Sequence, residues 1–179
     1  MDATINGVMK TKDLVIIATF VALLIAVQYA LSFISGVELV TVLFLAFCYS
    51  FGVKRSIITA TAFSLLRCFL FGFFPTVIIL YLVYYNLFAL IVGLIGNKLN
   101  REYSIVKHII MIGVALLLTA LFTMLDNIIT PLIYAYTLEM AQAYFLASFT
   151  TLIPHLICSL ATTTLLFFPA FKLLKPLSN

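Results

Sequence analysis

The chain has 179 residues, of which 65% are hydrophobic and 9% are charged, and its formal net charge is +4. A chain this apolar cannot cover a water-soluble globule with polar side chains, which excludes a soluble domain. The composition therefore predicts one integral membrane domain over residues 1–179.

Six apolar segments follow one another, and they predict helices rather than barrel strands because they are continuously apolar, without alternation. Each approaches the roughly 20 residues that cross hydrocarbon, although the second and third are short. The predicted spans are about 14–34, 38–53, 56–72, 76–96, 108–128 and 141–168. The predicted fold class is an all-α integral membrane protein, a bundle of six transmembrane helices.

The connections predicted on the outer side differ in length. Ser35-Gly36-Val37 and residues 72–75 make tight turns, whereas residues 127–140 form a longer loop. That loop has room for a short helix beginning at Thr130-Pro131, since proline suits a first helical turn.

Basic residues occur on one side of the predicted bundle. The nine bases that flank the spans on that side are Lys10, Lys12, Lys54, Arg55, Lys98, Arg101, Lys107, Lys172 and Lys175. The opposite connections carry Glu38, Asp126 and Glu139 and no base. This positive-inside pattern predicts that both termini are cytoplasmic, and it explains the net charge without nucleic acid.

Arg67 is the exception, because it lies inside the otherwise apolar stretch 56–72. An unneutralised guanidinium in hydrocarbon costs on the order of 2.5–3.5 kcal/mol, so we expect it to face a partner or a hydrated cavity. Glu38 and Asp126 are the nearest acids in depth. The sequence leaves open whether Arg67 contacts a ligand or forms a structural ion pair with one of them.

Other polar and aromatic residues are predicted at a similar depth. Tyr85, Asn86, Asn127 and Tyr136 join Arg67 and Asp126 in the outer half of the bundle, which predicts an outward-facing pocket with aromatic walls. Glu38 fits this pocket and fits equally a capping box with Ser35 at the start of the second helix.

The first span carries Ala18, Ala22 and Ala26 at four-residue spacing. They form a flat stripe on one helix face, which suits either packing inside this bundle or docking onto another membrane subunit.

Signatures of enzymes are missing from the sequence, which predicts a protein that is not an enzyme and needs no cofactor. Because there is no P-loop, an ATP-driven process would need another chain. Cys48, Cys68 and Cys158 have no CxxC spacing and are interpreted as buried small hydrophobes rather than metal ligands.

The whole chain resembles the substrate-binding subunit (S component) of an energy-coupling-factor vitamin transporter. The resemblance consists of its length, six spans with both termini inside, a short first outer loop leading into Val37-Glu38-Leu39-Val40, and the Ala18-xxx-Ala22 stripe. It implies a subunit of the bacterial plasma membrane that binds a vitamin or vitamin precursor near the outer surface. Such subunits dock onto a membrane coupling subunit, and two cytoplasmic ATPases power release.

Carried onto this sequence, the resemblance implies two sets of residues. The docking stripe would be Ala18, Ala22 and Ala26. The candidates for substrate contact would be Glu38, Arg67, Tyr85, Asn86, Asp126, Asn127 and Tyr136. The alternative is a scaffold that resembles the MreD membrane protein of bacterial cell-shape complexes, in which the stripe binds a permanent partner and no ligand pocket is required. The substrate stays open, since riboflavin-, pantothenate- and cobalamin-like ligands suit the residues equally.

Overall fold

The computed structural model describes residues 11–33 and 39–178. Lys10, the predicted turn 35–37 and Glu38 lie outside the described residues. Within the described ranges the chain forms six α-helices and no strand. They are α1 (Thr11–Leu31), α2 (Val40–Phe51), α3 (Val53–Phe71), α4 (Pro75–Lys98), α5 (Ile105–Ile133) and α6 (Leu138–Ser178). The prediction of an all-helical fold is confirmed.

Four of these helices, α1, α4, α5 and α6, are long and apolar enough to cross a membrane. The other two differ from them in physically distinct ways. Helix α2 has only 12 residues, which at 1.5 Å per residue is about 18 Å and shorter than a hydrocarbon core. Helix α3 is long enough but carries Lys54, Arg55 and Arg67. Six complete spans therefore stay a prediction.

The short helix α2 is the centre of the fold, because it contacts every other helix. Its aromatic residues anchor three of these contacts. Phe47 stacks on Phe20 of α1 with ring centroids 4.3 Å apart, Phe44 packs against Tyr85 of α4, and Tyr49 packs against Phe167 of α6. Burial on all sides explains why α2 is almost entirely apolar.

One end of the bundle collects basic residues from distant parts of the chain. Arg55, at the start of α3, pairs with Asp13 of α1 at 3.0 Å and donates to the carbonyl of Ser178 at 3.3 Å. Tyr49 donates to the carbonyl of Glu102 in the α4–α5 connection. We call this end, with Arg55, Arg101 and Lys175, the basic end. The start of α1 and the end of α6 both lie there, and the side of the membrane that it faces stays a prediction.

The outer connection predicted over residues 127–140 is mostly helix. Helix α5 continues to Ile133 with Pro131 in its last turn. The prediction of a short separate helix beginning at Thr130 is therefore wrong. The turn is only 134–137, closed by hydrogen bonds from the Tyr134 amide to the Thr130 carbonyl and from the Tyr136 amide to the Pro131 carbonyl. Thr137 then caps α6, accepting the Met140 amide on its hydroxyl. Because apolar residues continue up to this turn, both helices extend beyond the predicted spans 108–128 and 141–168.

Two glycines of α4 allow the α2–α3 turn to approach its backbone. A Cβ atom at Gly96 would lie 2.6 Å from the carbonyl oxygen of Tyr49, and one at Gly93 would lie 2.8 Å from the Cα of Val53. In both cases the obstacle is backbone, which cannot rotate away. Close helix packing through small residues is common in membrane proteins.

We therefore expect Gly96→Ala to lower the free energy of unfolding by about 1–3 kcal/mol, the usual cost of overpacking. Thermal unfolding in detergent, followed by thiol-dye labelling of the buried Cys48, measures the effect. Gly113→Ala is the matched control, because a Cβ there meets nothing within 4 Å. Equal midpoints for the two variants would contradict the close approach.

Candidate functional site

Arg67 lies one turn before the end of α3, in the half of the bundle away from the basic end. Its guanidinium carbon is 3.9 Å from the ring centroid of Tyr81 and 5.1 Å from that of Phe71. Its Nε is buried and has no hydrogen-bond partner, and no carboxylate of the described residues pairs with it. Cation–π contacts partly stabilise the charge, by about 2 kcal/mol when desolvated. They leave its Nε without a hydrogen-bond acceptor.

Gln28 of α1 reaches the same aromatic ring. Its amide nitrogen donates to the Tyr81 hydroxyl at 3.1 Å, while its Oε1 is buried without a hydrogen-bond partner. We call Gln28, Arg67, Phe71 and Tyr81 the Arg67 cluster. An unpaired donor and an unpaired acceptor thus lie beside one ring, each at a cost of about 1–3 kcal/mol. Buried groups left unsatisfied in this way call for an explanation, and a bound ligand is one.

A second polar cluster joins α5 to α6. The carboxylate of Asp126 accepts a hydrogen bond from Thr130 at 2.7 Å on one oxygen and one from the Tyr144 hydroxyl at 2.7 Å on the other. The Tyr136 ring lies 5.9 Å from that of Tyr144. Asn127 donates to Ser148 at 2.9 Å, whereas its Oδ1 is buried without a partner. These residues, Asp126, Asn127, Thr130, Tyr136, Tyr144 and Ser148, form the Asp126 cluster.

The two clusters are adjacent, but the Arg67 guanidinium and the Asp126 carboxylate do not contact each other. The ring of Phe122, one helical turn before Asp126, lies 5.9 Å from that of Tyr81. Aromatic side chains therefore separate the cation from the carboxylate, and the structural ion pair of Arg67 with Asp126 does not form. Both oxygens of the Asp126 carboxylate instead accept hydrogen bonds from side chains of α5 and α6.

Two predicted contact residues of α4 pack against neighbouring helices, and only Tyr85 is in the buried core. Tyr85 is only 3% exposed, with its ring 4.9 Å from that of Phe63. Asn86 accepts a hydrogen bond from Thr61 of α3 at 3.0 Å and donates to the carbonyl of Leu82 at 2.8 Å. Asn86 thus ties α3 to α4 and belongs to neither cluster, whereas the Tyr85 ring adjoins the Arg67 cluster, 5.2 Å from that of Tyr81.

The remaining candidates divide between the clusters. Arg67 lies in the first, while Asp126, Asn127 and Tyr136 lie in the second. Glu38 is outside the described residues. Tyr144 and Ser148 were missed, although the sequence held a signal for them: Asp126 and Thr130 are four residues apart on α5, as Tyr144 and Ser148 are on α6, so each helix presents a polar pair on one face.

The alanine stripe faces outward. Ala18, Ala22 and Ala26 are exposed and line an apolar groove of about 830 Å³ between α1 and α3, whose far wall includes Ala62, Leu66 and Leu70. The alternative in which these alanines pack inside the bundle is therefore wrong. Bulky residues on the opposite face of α1, Phe20 and Leu24 among them, supply its core contacts instead.

Four apolar helices of membrane-crossing length around a buried central helix define a helical membrane protein. Two polar clusters lie away from its basic end, and an apolar groove lies on its surface. No protein-family model matches this chain, and comparisons with curated proteins and with solved structures find no match.

Proposed function

We propose that this protein is the substrate-binding membrane subunit (S component) of an energy-coupling-factor importer. In this proposal it captures a vitamin or vitamin precursor at the outer face of the bacterial plasma membrane. The observation that carries the proposal is the pair of unsatisfied buried groups at Tyr81, the Nε of Arg67 and the Oε1 of Gln28. A ligand that presents an acceptor to one and a donor to the other would satisfy both.

The depth and surroundings of these groups favour a ligand over lipid. Arg67, Gln28, Asp126 and Asn127 all lie within about two turns of the helix ends opposite the basic end. If the basic end is cytoplasmic, as the positive-inside pattern predicts, both clusters are close to the outer surface. Aromatic rings with a few polar groups are typical walls of small-molecule sites.

The groove supports the second half of the proposal, docking onto a membrane coupling subunit. It consists of small and apolar side chains, so the backbone of a partner helix could approach α1 closely. Helices α1 and α3 carry both the groove and three members of the Arg67 cluster. A ligand that reorients Gln28 and Arg67 would therefore change the packing of the helix pair that presents the docking surface. ATP hydrolysis would come from two cytoplasmic ATPase subunits on other chains.

A copurified ligand is the direct test. The protein, extracted from its native membrane in mild detergent, is denatured, and released small molecules are identified by mass spectrometry. The ligand-free protein is then screened by thermal shift against a panel of vitamins and their precursors. We expect one compound class to raise the unfolding midpoint, since a ligand at 100 times its Kd adds about 2.7 kcal/mol of stability.

The same screen separates the proposal from the MreD-like scaffold. A scaffold would use the groove for a permanent partner and would respond to no small molecule. A folded protein that carries no ligand and shifts with none of the panel would rule out the S-component assignment.

A further inference from the structure

Two cavities adjoin each other at the basic end. One, of about 370 Å³, lies along the end of α6 and is lined by Phe168, Phe171, Lys172, Lys175 and Pro176. The other, of about 270 Å³, is lined by Ser50, Asn100, Arg101, Glu102, Phe171, Lys175 and Ser178. Because Phe171 and Lys175 line both, the two cavities adjoin at these side chains, and we call the pair the recess, with a polar half and a largely apolar half.

The polar half of this recess is rich in positive charge. Arg101 and Lys175 lie there, Lys172 lines the adjoining half, and Glu102 is the one acid among the lining residues. The guanidinium of Arg101 is held by the side chain of Asn97. Partial burial, and then the positive charge of Arg55, lower the pKa of Arg101. Positive charges are thus crowded here, and a bound anion would relieve their repulsion.

The apolar half extends the recess along α6. Phe168, Phe171 and Pro176 supply its apolar surface, and the Lys175 ammonium lies 5.7 Å from the Phe171 ring. A free inorganic anion would use only the polar half. A molecule with a phosphate joined to hydrocarbon chains would use both.

We propose that this recess binds the headgroup of an anionic phospholipid. Lys172, Lys175 and Arg101 contact the phosphate oxygens, while the acyl chains lie against Phe168 and Phe171. Asn100 is placed to donate a hydrogen bond to the same headgroup. Basic pockets between helices near the membrane surface recognise phospholipid headgroups in this way. The site is distinct from both polar clusters, which lie toward the other end of the helices.

Native mass spectrometry of the full-length protein in detergent tests this proposal by titration with phosphatidylglycerol and, separately, with phosphatidylcholine. We expect one phosphatidylglycerol to bind more tightly than phosphatidylcholine. Lys175→Gln should weaken phosphatidylglycerol binding about fivefold, the loss expected for one lysine near an anionic headgroup. Lys175→Arg keeps the charge and should keep most of the affinity, which separates a lost contact from a damaged fold.

Lys98→Gln is the matched control, since it removes one positive charge from an exposed side chain near the same end that lines neither cavity. It should leave the affinity unchanged. Equal weakening by Lys98→Gln and Lys175→Gln would overturn the site in favour of diffuse surface charge. Displacement of the lipid by millimolar inorganic phosphate would overturn the lipid assignment in favour of a free anion.

Discussion

Replacing Arg67 by methionine (Arg67→Met) should sharply weaken ligand binding while raising the thermal stability of the ligand-free protein. Methionine approximates the length of the arginine side chain and can pack against Tyr81 and Phe71, which now flank the guanidinium. The variant removes a charge that no described carboxylate neutralises and a buried Nε that lacks a hydrogen bond. Truncating the partner of a buried charged group costs roughly 2–5 kcal/mol in affinity, or about 30- to 5,000-fold.

Opposite effects on binding and stability are the decisive feature of this experiment. Binding of the copurified ligand is measured by titration calorimetry, and stability by the unfolding midpoint without ligand. Glu38→Gln is measured in parallel, because Glu38 is an acid that the sequence places at a similar depth. If Arg67→Met lost stability and kept full affinity, Arg67 would be a structural brace rather than a ligand contact.

The sequence specified the chemistry of the Arg67 cluster better than its geometry. A single arginine in an apolar stretch is informative because its cost in hydrocarbon is large wherever it points. Asn86 illustrates what such reasoning lacks. Its depth in α4 predicts a place in the pocket, but depth does not determine which face of the helix a residue occupies. Tyr81, near the start of α4, faces Arg67, whereas Asn86 faces Thr61 of α3.

The helical fold followed from long apolar runs, but the role of α2 did not. All of its 12 residues except Leu43 are buried by the surrounding helices, so its hydrophobicity reflects a protein interior rather than lipid. Sequence hydropathy cannot distinguish these two environments, because both exclude water. The same limit applied at Pro131, where apolar residues continued the helix through a proline that had indicated a new start.

Small-residue spacing was ambiguous for a related reason. Ala89 and Gly93 of α4 are spaced like Ala18 and Ala22 of α1, yet the first pair is buried in the bundle and the second pair is exposed. Spacing determines that a helix face is flat. Whether that face is buried depends on which helices the bulky residues of the same helix pack against. The packing of the whole bundle determines this, and spacing along one helix does not.

The exposed groove leads to the second large effect, which separates docking from ligand capture. Ala22→Trp should fill the groove between α1 and α3 and prevent close approach of a partner helix, since small residues are what allow such contacts. Because Ala22 lines the groove and is not a member of the Arg67 cluster, we expect ligand affinity to be unchanged. Uptake of the labelled ligand into cells expressing the complete transporter should fall by about tenfold or more.

Leu23→Trp is the matched control for that variant. Leu23 is the next residue of α1 and is 44% exposed, but it does not line the groove. It adds the same indole group to the same helix at the same depth, so it should leave both affinity and uptake near those of the unmodified protein. Normal uptake by Ala22→Trp, or an equal loss in both variants, would show that the groove is not the docking surface. Unchanged affinity with selective loss of uptake in Ala22→Trp would locate the energy-coupling partner on this face of α1.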